Sequence, residues 1–252
     1  MKDVIAGRAE REARGTGSMM HPAIHRVTKL DLVVREEAWP FALERSVEIA
    51  AHFAELQSDR PQIWNGRVLL GRDPLFSEDC FAASYFETDF ASFMAWRDWG
   101  YPDKAVFNGF GMGALRASDG AFVMGEMGRH TANAGRVYFP SGTPDLDDIK
   151  GDVLDIPGSV ARELEEETGL KAADYQAEAC WHCVVSGSAI ALIRILNVNM
   201  PGEAIRARIE ANLAAQAHPE LAAIHLVRGT SDLTPAMPPF IRAFIERQFT
   251  PD

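Results

Sequence analysis

Arg162-Glu163-Leu164-Glu165-Glu166-Glu167-Thr168-Gly169-Leu170 carries four carboxylates in five consecutive residues. At about 100° per residue, Val160, Ala161, Leu164 and Thr168 fall on one side of a helix. Glu163, Glu166 and Glu167 gather on the adjacent side as an i, i+3, i+4 set, and Glu165 points elsewhere. Like charges at that spacing oppose the helix by roughly 0.2–0.5 kcal/mol per pair. A cation would turn the repulsion into coordination, and hard carboxylate oxygens favour Mg²⁺ or Mn²⁺. Gly169 supplies a helix stop. An acidic run is also what a solvated helix face looks like, so the surrounding chain has to decide.

Upstream, Ile156-Pro157 suits a first helical turn, with Asp155 as the candidate cap. Thr143 to Asp155 is a loop crowded with Asp145, Asp147, Asp148, Asp152 and Asp155. Phe139-Pro140-Ser141-Gly142 sharply ends a short strand, Val137 to Phe139. Further back, Ala117-Ser118-Asp119-Gly120 is a hairpin turn between strands over Phe107–Leu115 and Ala121–Met127. Downstream, Glu178–Val185 and Ile190–Val198 read as strands and Gly202–Ala215 as a helix. Ala222–Val227 reads as a strand and Phe240–Phe249 as an amphipathic closing helix.

The texture changes near Val106. Before it lie a strand over Thr28–Arg35, a helix over Phe41–Leu56, short strands at Val68–Leu70 and Phe81–Phe86, and an aromatic-rich helix from Phe90 to Trp99. This gives three parts: a flexible N-terminal tail over 1–26, an α+β subdomain over 27–104, and a second domain over 105–252. In the tail, Met19 and Met20 are candidate translation starts. The Phe and Trp residues of the first part read as core, with a substrate-stacking role for Trp96 or Trp99 as the alternative.

A net charge of −11 argues against a nucleic-acid or anionic-membrane binder, because both need a basic surface. It is compatible with a small anionic substrate held through a metal. No apolar run approaches the ~20 residues of a membrane span. The first residues lack the apolar middle of a secretory signal. Three cysteines make no disulfide framework, and a reducing cytoplasm is the expected compartment. The oligomeric state is unreadable, with a homodimer among the options.

Phe139-Pro140-Ser141-Gly142, a loop, and Arg162-Glu163-Leu164-x-Glu166-Glu167-x-Gly169-Leu170 resemble the signature of Nudix hydrolases. The second half matches at every defined position, and the likeness spans about Val106 to Val227. It implies an α/β fold, an α/β/α sandwich around a mixed sheet, with the first part as an N-terminal α+β extension. It also implies Mg²⁺- or Mn²⁺-dependent hydrolysis of a phosphoanhydride in a nucleoside diphosphate linked to another group. Glu166 and Glu167 are then metal ligands. Glu163 is a ligand or orients and deprotonates the water. Arg162 pairs with a carboxylate to hold loop and helix together, and Gly142 and Gly169 serve geometry. Glu220, just before the last strand, is a candidate general base.

The chain departs from the family's spacing. Counting back from Arg162, a Glu is expected at position 154 and a Gly at position 148; Leu154 and Asp148 stand there. The Phe-Pro turn also lies about six residues early, so the loop carries an insertion. Asp155 is the candidate replacement for the missing acid as a metal ligand. The departure motivates an alternative, a catalytically weakened nucleotide-binding or regulatory module on the same fold. A third reading, a prenyl-diphosphate isomerase, needs Cys180 or Cys183 to line the cleft.

Before the Phe-Pro turn, Arg136 is a candidate phosphate contact, and His130 and Asn133 are candidates for touching base or sugar; turn chemistry is the bland alternative. Cys180-Trp181-His182-Cys183 lacks a second ligand pair for zinc, and core cysteines are expected. Gly109-Phe110-Gly111-Met112-Gly113 lacks the phosphate-loop Lys; close backbone packing in a strand is the expected reason.

Overall fold

The computed structural model describes residues 22–250. The expected tail lies outside the described residues as far as position 21, Met19 and Met20 included. Its last residues are a correction. Ala23–Val27 is strand β1, paired antiparallel with β10 (Gln176–Ser186) from Ala23↔Val185 to Val27↔Trp181. Only Val27 of β1 is buried, so the neighbouring edge makes this strand rather than its own apolar pattern.

The first part then runs β2 (Lys29–Val34), α1 (Pro40–Glu44), α2 (Ser46–Asp59), β3 (Arg67–Phe76), β4 (Cys80–Asp89) and α3 (Phe90–Asp98). The single helix expected over 41–56 is two, broken at Arg45 with φ −110° and ψ 18°. The rest runs β5 (Val106–Arg116), β6 (Phe122–Met127), β7 (Val137–Tyr138), β8 (Ile149–Lys150), β9 (Val153–Leu154), α4 (Ile156–Thr168), β11 (Ala189–Asn197) after β10, α5 (Gly202–Ala215), β12 (Leu221–Val227) and α6 (Pro239–Phe249).

Among the described residues one mixed sheet of twelve strands carries the architecture, in the order β1-β10-β11-β5-β3-β4-β2-β9-β8, with β6, β7 and β12 branching from β5. It continues across the expected boundary at 104/105, since Gly71 pairs with Phe107 and Arg72 with Val106. The acidic loop is not irregular throughout. It contains the β8–β9 hairpin, and Val153 pairs with Val33 of β2, so the extra loop residues add an edge to the first part's strands.

Strand β5 is the pivot. One edge runs parallel to β11 along its length, from Ala189↔Asn108 to Asn197↔Arg116. The other edge pairs with β3 at its start and with β6 at its end, Leu115↔Val123. The sheet forks in between. Alternate residues of a strand face opposite ways. A Cβ on Gly111 would come within 2.6 Å of Val160 on α4, whereas the neighbouring Phe110 meets Phe240 of α6 edge-on at 5.6 Å. Helices therefore cover both faces, as the α/β/α expectation requires. The glycine spacing has the expected cause: side chains at 109, 111 or 113 would strike Tyr85, Val160 or Leu196.

Helix α4 forms where the sequence places it. Asp155 accepts from the Gly158 amide at 3.1 Å, Pro157 occupies the first turn, and Gly169 closes the helix at φ 73°, the left-handed conformation that glycine tolerates best. Ile156, Val160 and Leu164 are fully buried or nearly so, each worth about 2 kcal/mol against exposure. That stripe fixes which way the glutamates point.

Candidate active site

Burying Val160 and Leu164 against β5 leaves Glu163 half-buried, Glu167 buried at 5% exposure, and Glu165 and Glu166 in solvent. The Phe139–Gly142 turn lies directly over this face. The Ser141 amide donates to Glu167 Oε1 at 3.2 Å. A Cβ on Gly142 would come within 2.5 Å of the Glu163 carboxylate. Gly142 is thus a gap kept open for that carboxylate, a role its place in the motif does not reveal. Asn212 of α5 abuts Gly169 in the same way.

Arg162 finds its partner in Asp148. Its Nη2 donates to Asp148 Oδ1 at 2.8 Å, with Asp145 at 3.7 Å and Glu163 at 3.4 Å. Asp148 is buried and also accepts from the Ser159 hydroxyl and the Asp145 amide, each at 3.1 Å. Burial raises its pKa, although the Asp145 amide, Arg162 and Ser159 pull it back. Arg162 is itself raised: burial alone would lower it, but Asp148, Glu163 and Asp145 outweigh that. Asp148 is a site residue the sequence reading missed. Its only signal was that Arg162 needed an acid and position 154 did not offer one. Leu154 is buried in the core instead.

Asp155 needs a correction. Its carboxylate caps α4 through Gly158 and pairs with Lys150. It lies eight residues before Glu163, about 12 Å along a helix axis at 1.5 Å per residue. Helix geometry keeps it away from the glutamate cluster, so it does not replace the missing acid there.

A cavity of about 780 Å³ opens in the fork of the sheet beside Glu163. Its acidic end is Glu163, Asp145 and Glu220, with Ser141 and Gly142 between them. Arg136, His130, Asn133 and Tyr138 also line it. Glu166 and Glu167 do not reach the lining. The first part of the chain contributes lining residues such as Trp64, Phe90 and Met94. Trp96 is fully buried and Trp99 packs under Arg45, so neither expected stacking candidate reaches the cavity. No cysteine lines it either; Cys183 is buried and Cys180 intermediate, which removes the basis of the isomerase reading.

The candidate polar residues are partly engaged. The Asn133 amide donates to the Tyr138 hydroxyl at 3.1 Å, and the His130 carbonyl accepts from Gln62 at 2.7 Å. Arg136 is exposed and at the cavity. Glu220 is exposed, and its carbonyl accepts from the Gly128 amide at 2.7 Å.

The electrostatics converge on the glutamates. Burial, reinforced by Glu166, Asp148 and Glu220 against the pull of Arg162, raises Glu163 to about 7. Burial, reinforced by Glu163, Glu220 and Glu166 against the Ser141 amide, raises Glu167 to about 8. Burial first, and then Glu167, Glu220 and Glu163, also raise the Tyr138 phenol. These carboxylates repel one another in a desolvated place with too few donors. That chemistry fits a divalent cation held by oxygen ligands. The side chains do not close around one point, for among the described residues no three His, Cys, Asp or Glu groups form a ready cation cage. Among the same residues no helix is long and apolar enough to cross a membrane.

No family model and no curated protein matches the sequence. Solved structures are similar at a distance. A Nudix hydrolase from M. smegmatis, RenU, is 17% identical, with 57% of this chain and 86% of that chain covered and a TM-score of 0.36. The MutT protein from Methanosarcina mazei Go1 is 17% identical, with 56% and 92% covered and a TM-score of 0.35. A bifunctional NMN adenylyltransferase/ADP ribose pyrophosphatase from Francisella tularensis is 15% identical, with 61% and 43% covered and a TM-score of 0.37. At those scores the likeness decides nothing about this chain.

Proposed function

We propose that the chain is a Nudix-type hydrolase that cleaves a phosphoanhydride bond in a nucleoside diphosphate linked to another group. One observation carries the reading: the Phe139–Gly142 turn is seated on the glutamate face of α4, with Ser141 bonded to Glu167 and a missing side chain at Gly142 making room for Glu163. A solvated acidic face needs neither contact. The Arg162–Asp148 pair holds loop and helix in that arrangement.

Glu163, Glu166 and Glu167 are the residues that would hold Mg²⁺ or Mn²⁺. Once bound, such a cation neutralises the diphosphate and acidifies water. The chain's own contributions are separate. Arg136 meets a phosphate, and His130 and Asn133 contact the sugar or base. Water attacks one phosphorus, the bridging P–O bond breaks, and the bridging oxygen leaves with the other phosphate. The proton lost from water passes to Glu220, which lines the same cavity as Glu163. Glu163 competes for that role.

A second reading, a nucleotide-binding module without turnover, draws on Leu154 in place of the box acid and on carboxylates that do not close a cage. The test is a screen of nucleoside diphosphate sugars, dinucleotides, ADP-ribose and CoA with Mg²⁺ or Mn²⁺. EDTA-sensitive release of nucleotide or phosphate supports hydrolysis. Tight binding without release supports the module.

A further inference from the structure

Trp64 is 75% exposed, yet it lines the cavity shared with the glutamates. The segment that carries it has no regular structure but is fixed at three points. Gln62 donates to the His130 carbonyl at 2.7 Å, the Ala91 amide to Asn65 Oδ1 at 2.8 Å, and the Phe90 amide to the Gly66 carbonyl at 2.8 Å. A Cβ on Gly66 would stand 3.0 Å from the Trp64 ring. The ring therefore lies back over a backbone stripped of its side chain. A large aromatic surface held in place and left in water at a cavity mouth is unexplained by folding, since burial is where indoles stabilise a fold.

Another observation points the same way. The same lining carries Glu163, Asp145 and Glu220, so the anionic part of a ligand belongs with those carboxylates and their cation, and its uncharged end belongs at Trp64. A flat ring suits the exposed face of Trp64, because bases offer a π-face for stacking.

Resting on the hydrolase reading above, we propose that Trp64 is the stacking platform for the nucleobase of the substrate. The first part of the chain then selects nucleoside diphosphate derivatives over diphosphates that lack an aromatic ring. Base–aromatic stacking of this kind is worth about 1–3 kcal/mol, roughly a five- to hundredfold change in affinity.

The experiment is calorimetric titration of the full chain with ADP, UDP and inorganic pyrophosphate, each with Mg²⁺, using wild type, Trp64→Ala and Trp64→Phe. The exposed site makes a folding failure avoidable, and an unchanged Tm checks it. The expected result is a tenfold or greater loss of ADP and UDP affinity in Trp64→Ala, partial recovery in Trp64→Phe, and unchanged pyrophosphate binding. Equal ADP and UDP affinity in wild type and Trp64→Ala overturns the stacking role while leaving the hydrolase reading intact. Wild type that binds pyrophosphate but neither nucleotide overturns it too. If wild type binds none of the three, the diphosphate reading fails and this proposal fails with it.

Discussion

Arg162 donates to Asp148 at 2.8 Å across fourteen residues, joining the start of the glutamate face to the loop that precedes it. The Asp148 carboxylate is 2% exposed and the Arg162 side chain 31%. Breaking a buried pair by removing one partner leaves the other charge uncompensated, typically at 3–5 kcal/mol. Partial exposure of the guanidinium reduces that here. Arg162→Ala is expected to cost about 2–3 kcal/mol, read as a fall in the denaturant midpoint. Arg162→Lys should recover only part, since it keeps charge but loses the planar fork. A midpoint unchanged in Arg162→Ala would show that the pair does not hold the loop.

Gly142→Ala separates geometry from stability. The added Cβ meets only the end of the Glu163 side chain, at 2.5 Å, which can swing away at small cost. Thermal stability should fall by no more than about 1 kcal/mol, the typical cost of a single substitution, while turnover falls at least tenfold. Gly169→Ala should do the reverse. It forces φ 73° on a residue with a Cβ and crowds Asn212, costing about 1–2 kcal/mol. Paired melting curves and rates for the two variants check the contrast.

The glutamates predict how metal-free stability depends on pH. Glu163 at about 7 and Glu167 at about 8 lie above the ordinary carboxylate value of 4.5. Between those limits the folded chain holds more protons than the unfolded one, so stability falls as pH rises. The contribution is complete below about 4.5 and is lost as pH climbs through about 7 and about 8. In EDTA, Tm should therefore drop between pH 5.5 and 8.5. Mg²⁺ should raise Tm more at pH 8.5 than at pH 5.5, because cation and proton compete for the same oxygens. Glu167→Gln should flatten the metal-free profile. A Tm that rises with pH in EDTA would contradict the assignment.

Glu220→Gln addresses the proton acceptor. Loss of kcat by about a hundredfold or more, within the range for general bases, with the Mg²⁺-induced Tm shift retained, assigns the role to Glu220. A near-normal kcat moves it to Glu163.

Much of this was legible in the sequence where local signals agreed. Helix α4 carried its own cap, first-turn proline, apolar stripe and glycine stop, and it begins and ends where they stand. The burial of Glu167 and half-burial of Glu163 followed from that stripe, whereas Glu166, expected beside them, is exposed like Glu165. Asp155 was read both as cap and as cation ligand, because one residue type does both; the cap is the contact it makes. Asp148 escaped notice because the loop insertion moved Arg162's partner away from its usual spacing. Strand β1 has too little apolar pattern to declare itself and depends on the edge of β10. Trp64 was invisible as a cavity residue because a turn gives no clue to which side of the sheet it closes.

The central claim is that the buried glutamate face serves metal-dependent hydrolysis. Its most direct measurement is EDTA-sensitive product release from the nucleoside diphosphate panel by wild type, Glu166→Gln and Glu167→Gln, with folding checked by melting. Release by wild type that falls by orders of magnitude in both folded variants is the predicted result; release by either variant at the wild-type rate would contradict it.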